Sequence, residues 1–314
     1  MKNFDTILKI YSDLKNENVK GANEILSMAL TRLAGAINKY SDVNIIEFII
    51  ASCKKIFEAQ PSMSLLANSM ALIISEAENL SKLKEDVSQI KSKIILKIEA
   101  IKRREKIAIQ KICQNSNEIF YNKKNILTYS FSSTIFKVID YQKQLNKNLN
   151  IYITESRPIN EGILGAKEFS KLYPTKLFID AAIGYIINEY DIDLILIGAD
   201  SFTKNMVINK IGTLPLAIVA HELEIPIYVL CTSLKYYFGE EFGYTLKIEE
   251  KPYFEVSDIQ KNNLEIKNFY FDKTPIKYIT GIITETGKYD LKNDKLSFLK
   301  EFPIKTIKLL YKMI

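Results

Sequence analysis

Asp193-Leu194-Ile195-Leu196-Ile197-Gly198-Ala199-Asp200 holds an apolar run, Leu194 to Ala199, and reads as a strand over Asp193–Ala199 with a carboxylate just beyond it. A strand apolar at every position has both faces buried, which is the pattern of a parallel sheet covered by helices on each side. Four more short runs, Ile126–Tyr129, Asn150–Thr154, Lys176–Ile179 and Ile227–Leu230, flank it in the sequence. The segments between them have the length of right-handed helical crossovers. The expectation is an α/β fold: a Rossmann-like, doubly wound, mostly parallel sheet. In such sheets ligands bind at the carboxyl ends of the strands. Here those ends read Thr128 to Ser133, Glu155-Ser156-Arg157, Asp180, Asp200 and Thr232-Ser233, which collects a cation, acids and hydroxyls.

The chain before this region reads differently. Ile45, Ile46, Phe48, Ile49 and Cys53, and again Leu83, Val87, Ile90, Ile94, Ile98 and Ile101, recur at helical spacing. Breaks fall at Gly21 and Pro61. Residues 1–120 are therefore expected to form a helical N-terminal domain and 121–314 a Rossmann-like C-terminal domain.

Composition narrows the functional classes. Lys and Arg number 43 against 37 Asp and Glu, a net charge of +6 that is too small and too dispersed to predict direct nucleic-acid binding. No apolar run approaches the length of a membrane span, so no membrane association is expected and the expected compartment is the cytoplasm. Cys53, Cys113 and Cys231 are few and far apart, which suits unpaired thiols. No metal site and no cofactor are expected; the glycine fingerprint of dinucleotide binders is absent from Thr128-Tyr129-Ser130-Phe131-Ser132-Ser133-Thr134. The lone histidine, His221, lies on a helix with no nucleophile or acid paired to it in sequence.

Two motifs carry chemistry. In Ile153-Thr154-Glu155-Ser156-Arg157-Pro158-Ile159-Asn160-Glu161-Gly162, a strand passes into a helix with Pro158 in the first turn, where Arg157 can meet a phosphate near the amide-rich helix start. A plain turn with a structural Arg–Glu pair fits the same residues. Beyond Asp200, Asn209-Lys210-Ile211-Gly212-Thr213 opens the next helix with groups able to reach a phosphate or carbonyl. A capping Asp200 and a solvated Lys210 are the plainer alternative.

Taken together, these motifs resemble the translation initiation factor 2B alpha/beta/delta-subunit family, which also contains methylthioribose-1-phosphate isomerase and ribose-1,5-bisphosphate isomerase. The likeness extends to Gln60-Pro61-Ser62-Met63 with Asn68, to Tyr270-Phe271-Asp272-Lys273-Thr274-Pro275 and to Ile282-Ile283-Thr284-Glu285-Thr286-Gly287. The resemblance implies dimerisation through the C-terminal domain. It implies ligand binding by Lys20, Gly21, Ser130, Arg157, Asp200, Asn209 and Lys210. In the family's enzymes an acid at the position of Asp200 acts with a cysteine after the first C-terminal strand; here that cysteine is Ser130. A hydroxyl is far less acidic than a thiol. The family's arginine is Lys20, which loses the bidentate fork, and the Ser201–Ile208 loop lacks an Asn-Gly.

The leading expectation is accordingly a non-catalytic regulatory subunit resembling those of initiation factor 2B. Its expected partners are translation initiation factor 2, with the alpha subunit as the candidate contact, a nucleotide or sugar phosphate, and further copies of itself in a homodimer or higher homo-oligomer. The alternative is an aldose–ketose isomerase acting on ribose 1,5-bisphosphate or a related sugar 1-phosphate, with Asp200 as general acid/base.

Overall fold

The computed structural model describes residues 2–15, 21–83, 85–290 and 293–312. Five helices come first: α1 (Lys2–Lys15), α2 (Ala22–Lys39), α3 (Ile45–Ala59), α4 (Ser64–Leu80) and α5 (Val87–Asn115). Leu30, Leu33, Ile37, Ile49, Ile56, Phe57, Met70 and Ile73 are fully buried, each on the apolar stripe of its own helix. The α4 helix is buried at every position from Ser64 to Ala71, polar residues included. Its Asn68 donates to the carbonyls of Leu234 and Tyr236, at 2.8 Å each. Among the described residues, no helix is long and apolar enough to cross a membrane.

The α/β half runs β1 (Asn125–Thr128), α6 (Ser133–Gln144), β2 (Asn150–Thr154), α7 (Glu161–Phe169), β3 (Thr175–Phe178), α8 (Ile183–Glu189) and β4 (Leu194–Ile197). It continues with β5 (Ser201–Phe202), β6 (Met206–Lys210), α9 (Thr213–Glu222), β7 (Ile227–Leu230), β8 (Phe271–Pro275), β9 (Gly281–Thr284), β10 (Gly287–Tyr289) and α10 (Ile304–Tyr311). Seven strands make one sheet in the order β10-β9-β7-β4-β1-β2-β3, parallel except for the β9–β10 hairpin. The strand order reverses between β1 and β4, where Thr128 lies in register with Leu196. All four residues of β4 are buried, as the opening run requires. Ile126, Ile151, Ile153, Leu194 and Leu196 pack with Ile135, Val138, Ile139 and Phe169 in one core.

Two sequence expectations need correction. Ser201–Ile208 is not a loop: β5 and β6 pair antiparallel, and β6 pairs with β8 to form a separate three-stranded sheet. Thr203 closes the hairpin by accepting from the amides of Asn205 and Met206 at 3.0 and 3.1 Å. Asn209 and Lys210 thus end a strand, and the helix begins only at Thr213. Likewise Pro158 precedes its helix by a full turn, since residues 157–160 form a turn and α7 starts at Glu161.

The described chain divides into two compact units whose segments alternate along the sequence. One comprises the residues up to 107 with 234–246 and 297–312; the other comprises 108–233 and 247–296 without the undescribed 291 and 292. A single cut at 120/121 does not capture this. The reason is aromatic: Tyr237, Phe242 and Tyr244 return to ring contacts with Tyr311, and Tyr311 meets Phe57 edge-on at 5.6 Å.

Candidate functional site at the strand ends

A ladder of side-chain to backbone bonds joins the ends of the first three strands. Ser130 follows β1 with φ +66°, and its amide donates to Ser156 Oγ at 2.9 Å. Ser156, at φ +62°, and Arg157 then donate their amides to the two oxygens of Asp180, at 2.8 and 2.7 Å. A carboxylate that takes two amide donors holds both turns in place.

Above this ladder lies the first turn of α7. Gly162 sits so close to the end of β2 that a Cβ would fall 1.8 Å from the Thr154 carbonyl oxygen. That approach, open only to glycine, sets Glu161 above Ser130. The Ser130 hydroxyl donates to Glu161 Oε1 at 2.9 Å, and Lys210 Nζ pairs with the same oxygen at 2.7 Å. The Lys210 and Glu161 side chains are only 5% and 20% exposed. The rings of Tyr270 and Phe271 flank the ammonium, with centroids 4.9 and 5.5 Å from Nζ. An ammonium in this setting is stabilised by one carboxylate and two ring faces.

The turn after β6 is fixed from below. Gly212 has φ +102° and lies against the Tyr129 hydroxyl, which donates to the Ile211 carbonyl at 2.9 Å. Asp272 caps α9 by accepting from the amides of Gly212 and Leu214 at 2.8 and 3.1 Å. Burial raises the Asp272 pKa above its ordinary value, and these amides oppose the rise. Burial, with the nearby Asp180 and Asp272 carboxylates, pushes the Tyr129 phenol well above its ordinary value. Burial and the bond to Glu255 do the same for Tyr270. Both phenols are therefore hydrogen-bond donors at neutral pH.

The sequence-predicted residues meet different fates. Ser130 and Lys210 converge on Glu161. Asn209 is buried beside them and donates to Thr213 Oγ1 at 3.1 Å, which in turn donates to the Lys210 carbonyl at 2.6 Å. Asp200 stands half-buried past β4, at the reversal of strand order, with its amide bonded to the Ile208 carbonyl at 2.9 Å. The Arg157 guanidinium is exposed, and Nη2 donates to the Val256 carbonyl at 3.3 Å. Gly21 is the N-cap of α2 in the other unit, with nothing within 4 Å of a would-be Cβ. Lys20 lies outside the described residues.

Glu161, Tyr270 and Asp272 stand in the sequence motifs with no role that their spacing assigns. An acid placed three residues after Pro158, and an aromatic pair before an acid, were the available signals. Cys53, Cys113 and Cys231 are all buried; burial raises the Cys113 thiol to about 11 and the Cys53 thiol further. Among the described residues, no group of three or more His, Cys, Asp or Glu side chains could hold a metal ion.

Known proteins resemble the chain over most of its length. It is 29% identical over 286 residues to an eIF-2B subunit 2-like protein of Pyrococcus furiosus, covering 90% of this chain and 96% of the relative. It is also 29% identical over 294 residues to the ribose 1,5-bisphosphate isomerase of Methanocaldococcus jannaschii, covering 91% and 92%. Among solved structures, the translation initiation factor eIF-2B of Pyrococcus horikoshii OT3 superposes with a TM-score of 0.75 at 26% identity, covering 90% of this chain and 96% of that one. Relatives at equal identity thus carry two kinds of name. The model of the initiation factor 2 subunit family matches residues 18–290, and the chain belongs to that family.

Proposed function

We propose that the chain is a non-catalytic, initiation-factor-2B-like regulatory subunit. In this reading it works in the cytoplasm as a homodimer or higher homo-oligomer and binds translation initiation factor 2 through the latter's alpha subunit. A nucleotide or sugar phosphate occupies the strand ends around Ser130, Arg157, Asp200, Asn209 and Lys210. Arg157 and Lys210 take the phosphate; Asp200 and Asn209 take ribose hydroxyls.

The observation that carries the reading is the engagement of Ser130. At the position where the resemblance implies a reactive cysteine, this chain has a hydroxyl that donates to Glu161, and Glu161 already pairs with Lys210. A carboxylate is far too weak a base to ionise a serine. Incubation with ribose 1,5-bisphosphate, followed by NMR of the sugar carbons, is expected to show no ketose. Pull-down with separate initiation factor 2 subunits at low salt is expected to retain the alpha subunit. Turnover in the first assay, or no retained subunit in the second, overturns the proposal.

One observation favours the isomerase reading instead. Asp200 remains at the reversal of strand order, where an acid would face a sugar held between β1 and β4. Turnover that is lost in Asp200→Asn would establish that reading.

A further inference from the structure

The proposed anion site is tied to one exposed segment by two separate routes. The first is direct: Arg157 Nη2 donates to the Val256 carbonyl. The second runs through a ring. Glu255, next to Val256, accepts from the Tyr270 hydroxyl at 2.6 Å and from Asn268 Nδ2 at 2.8 Å, and the Tyr270 ring lies against the Lys210 ammonium. Both routes end on a cation that the proposed ligand would use. The segment itself displays apolar side chains to solvent: Tyr253, Phe254, Val256 and Ile259 are exposed, Phe254 by 64%.

We infer that residues 252–259 are a strap whose attachment reports occupancy of the phosphate site, with Arg157 as the latch. This rests on the proposed phosphate site and adds regulation to it. A guanidinium bond to a phosphate joins two opposite charges and is bidentate, whereas its bond to a solvent-exposed carbonyl is single and meets a neutral acceptor. A phosphate-bearing ligand therefore draws Arg157 from Val256, and the freed carbonyl is satisfied by water at little cost. With the Arg157 route cut, the strap holds through Glu255 and through the Pro252 carbonyl, which accepts from Asn268 Nδ2 at 2.8 Å, and residues 253–259 gain freedom.

The chain contains no tryptophan, so Phe254→Trp gives a single reporter on the strap. Its emission and iodide quenching are to be read with and without ribose 5-phosphate and AMP, alongside hydrogen exchange of residues 253–259 and calorimetry of both ligands. Ligand is expected to raise quenching and to speed exchange about fivefold, the population change equivalent to one lost hydrogen bond. Arg157→Ala is expected to show that faster exchange with no ligand present. Glu255→Gln is expected to loosen the strap as well while leaving the Arg157 route. Calorimetric binding with an unchanged strap overturns the inference and leaves the site standing. An Arg157→Ala strap that exchanges like wild type overturns it irrespective of ligand. Absence of heat with both ligands removes the phosphate-site reading itself.

Discussion

Glu161 is the residue on which the strand-end site turns. Its one oxygen serves both Ser130 and Lys210, so removing its charge leaves an ammonium in a nearly closed setting. Glu161→Gln is expected to destabilise the fold by about 3 kcal/mol, the lower end of the range for a broken buried pair because the Glu161 side chain keeps some exposure. Lys210→Met on that background is expected to recover part of the loss; urea unfolding of the single and double variants reads this, and strict additivity would show that the pair is not coupled. Asp272 offers a test by pH. Its folded-state pKa lies above the ordinary value of about 3.9, so at mildly acid pH the folded chain keeps a proton that the unfolded chain has released. The contribution is present below the ordinary value and is lost as pH rises through the raised one. Asp272→Asn keeps an acceptor for the Gly212 and Leu214 amides and is expected to flatten stability across that window. Thermal melts of variant and wild type at a series of pH values measure it, and parallel curves would refute the assignment. Of these residues, Ser130 and Lys210 were legible in the sequence as chemistry. Their meeting at Glu161 was not, because no spacing rule brings residue 130 to 210.

At the level of elements, the site depends on how closely α7 approaches β2. Gly162→Ala places a methyl group 1.8 Å from a backbone oxygen, which neither rotamer change nor a flexible neighbour can relieve. The expected cost is about 1–3 kcal/mol, as for other overpacking changes. Loss of the Ser130–Glu161 bond should accompany it, seen as faster amide exchange at the start of α7; a variant as stable as wild type would mean that the helix moves away freely. The strands themselves were readable. Continuous or β-branched apolar runs located β1, β2, β4 and β7 within two residues, because burial on both sheet faces leaves a local signature, and the exposed edge strand β3 was located by its short Leu177-Phe178-Ile179 run. By contrast, β5 and β6 are mostly buried, but they are two and five residues long and mix Ser201, Asn209 and Lys210 with apolar positions, a composition that resembles a loop; β8 is only half-covered. That is why Asn209 and Lys210 were expected on a helix and lie at the end of a strand.

Within the first compact unit, the return of residues 234–246 depends on Asn68 as well as on aromatic packing. Asn68→Ala removes both bonds to the Leu234 and Tyr236 carbonyls from a fully buried position, and about 2–3 kcal/mol of stability should go with them. Limited proteolysis within 234–246 is expected to accelerate; an unchanged cleavage rate would show that the rings alone hold the segment. For the proposed homo-oligomer, light scattering is expected to give at least twice the chain mass, and a monomer at micromolar concentration would contradict it. The sequence by itself determined the helical beginning, the parallel sheet and the family, since periodicity, strand-end chemistry and motif order are local properties of the chain. Tertiary structure alone decided that Ser130 and Lys210 share one carboxylate, that Arg157 reaches Val256, and that two distant segments rejoin the helical unit. Each of these depends on contacts between residues far apart in the chain, where only the folded backbone sets the distance.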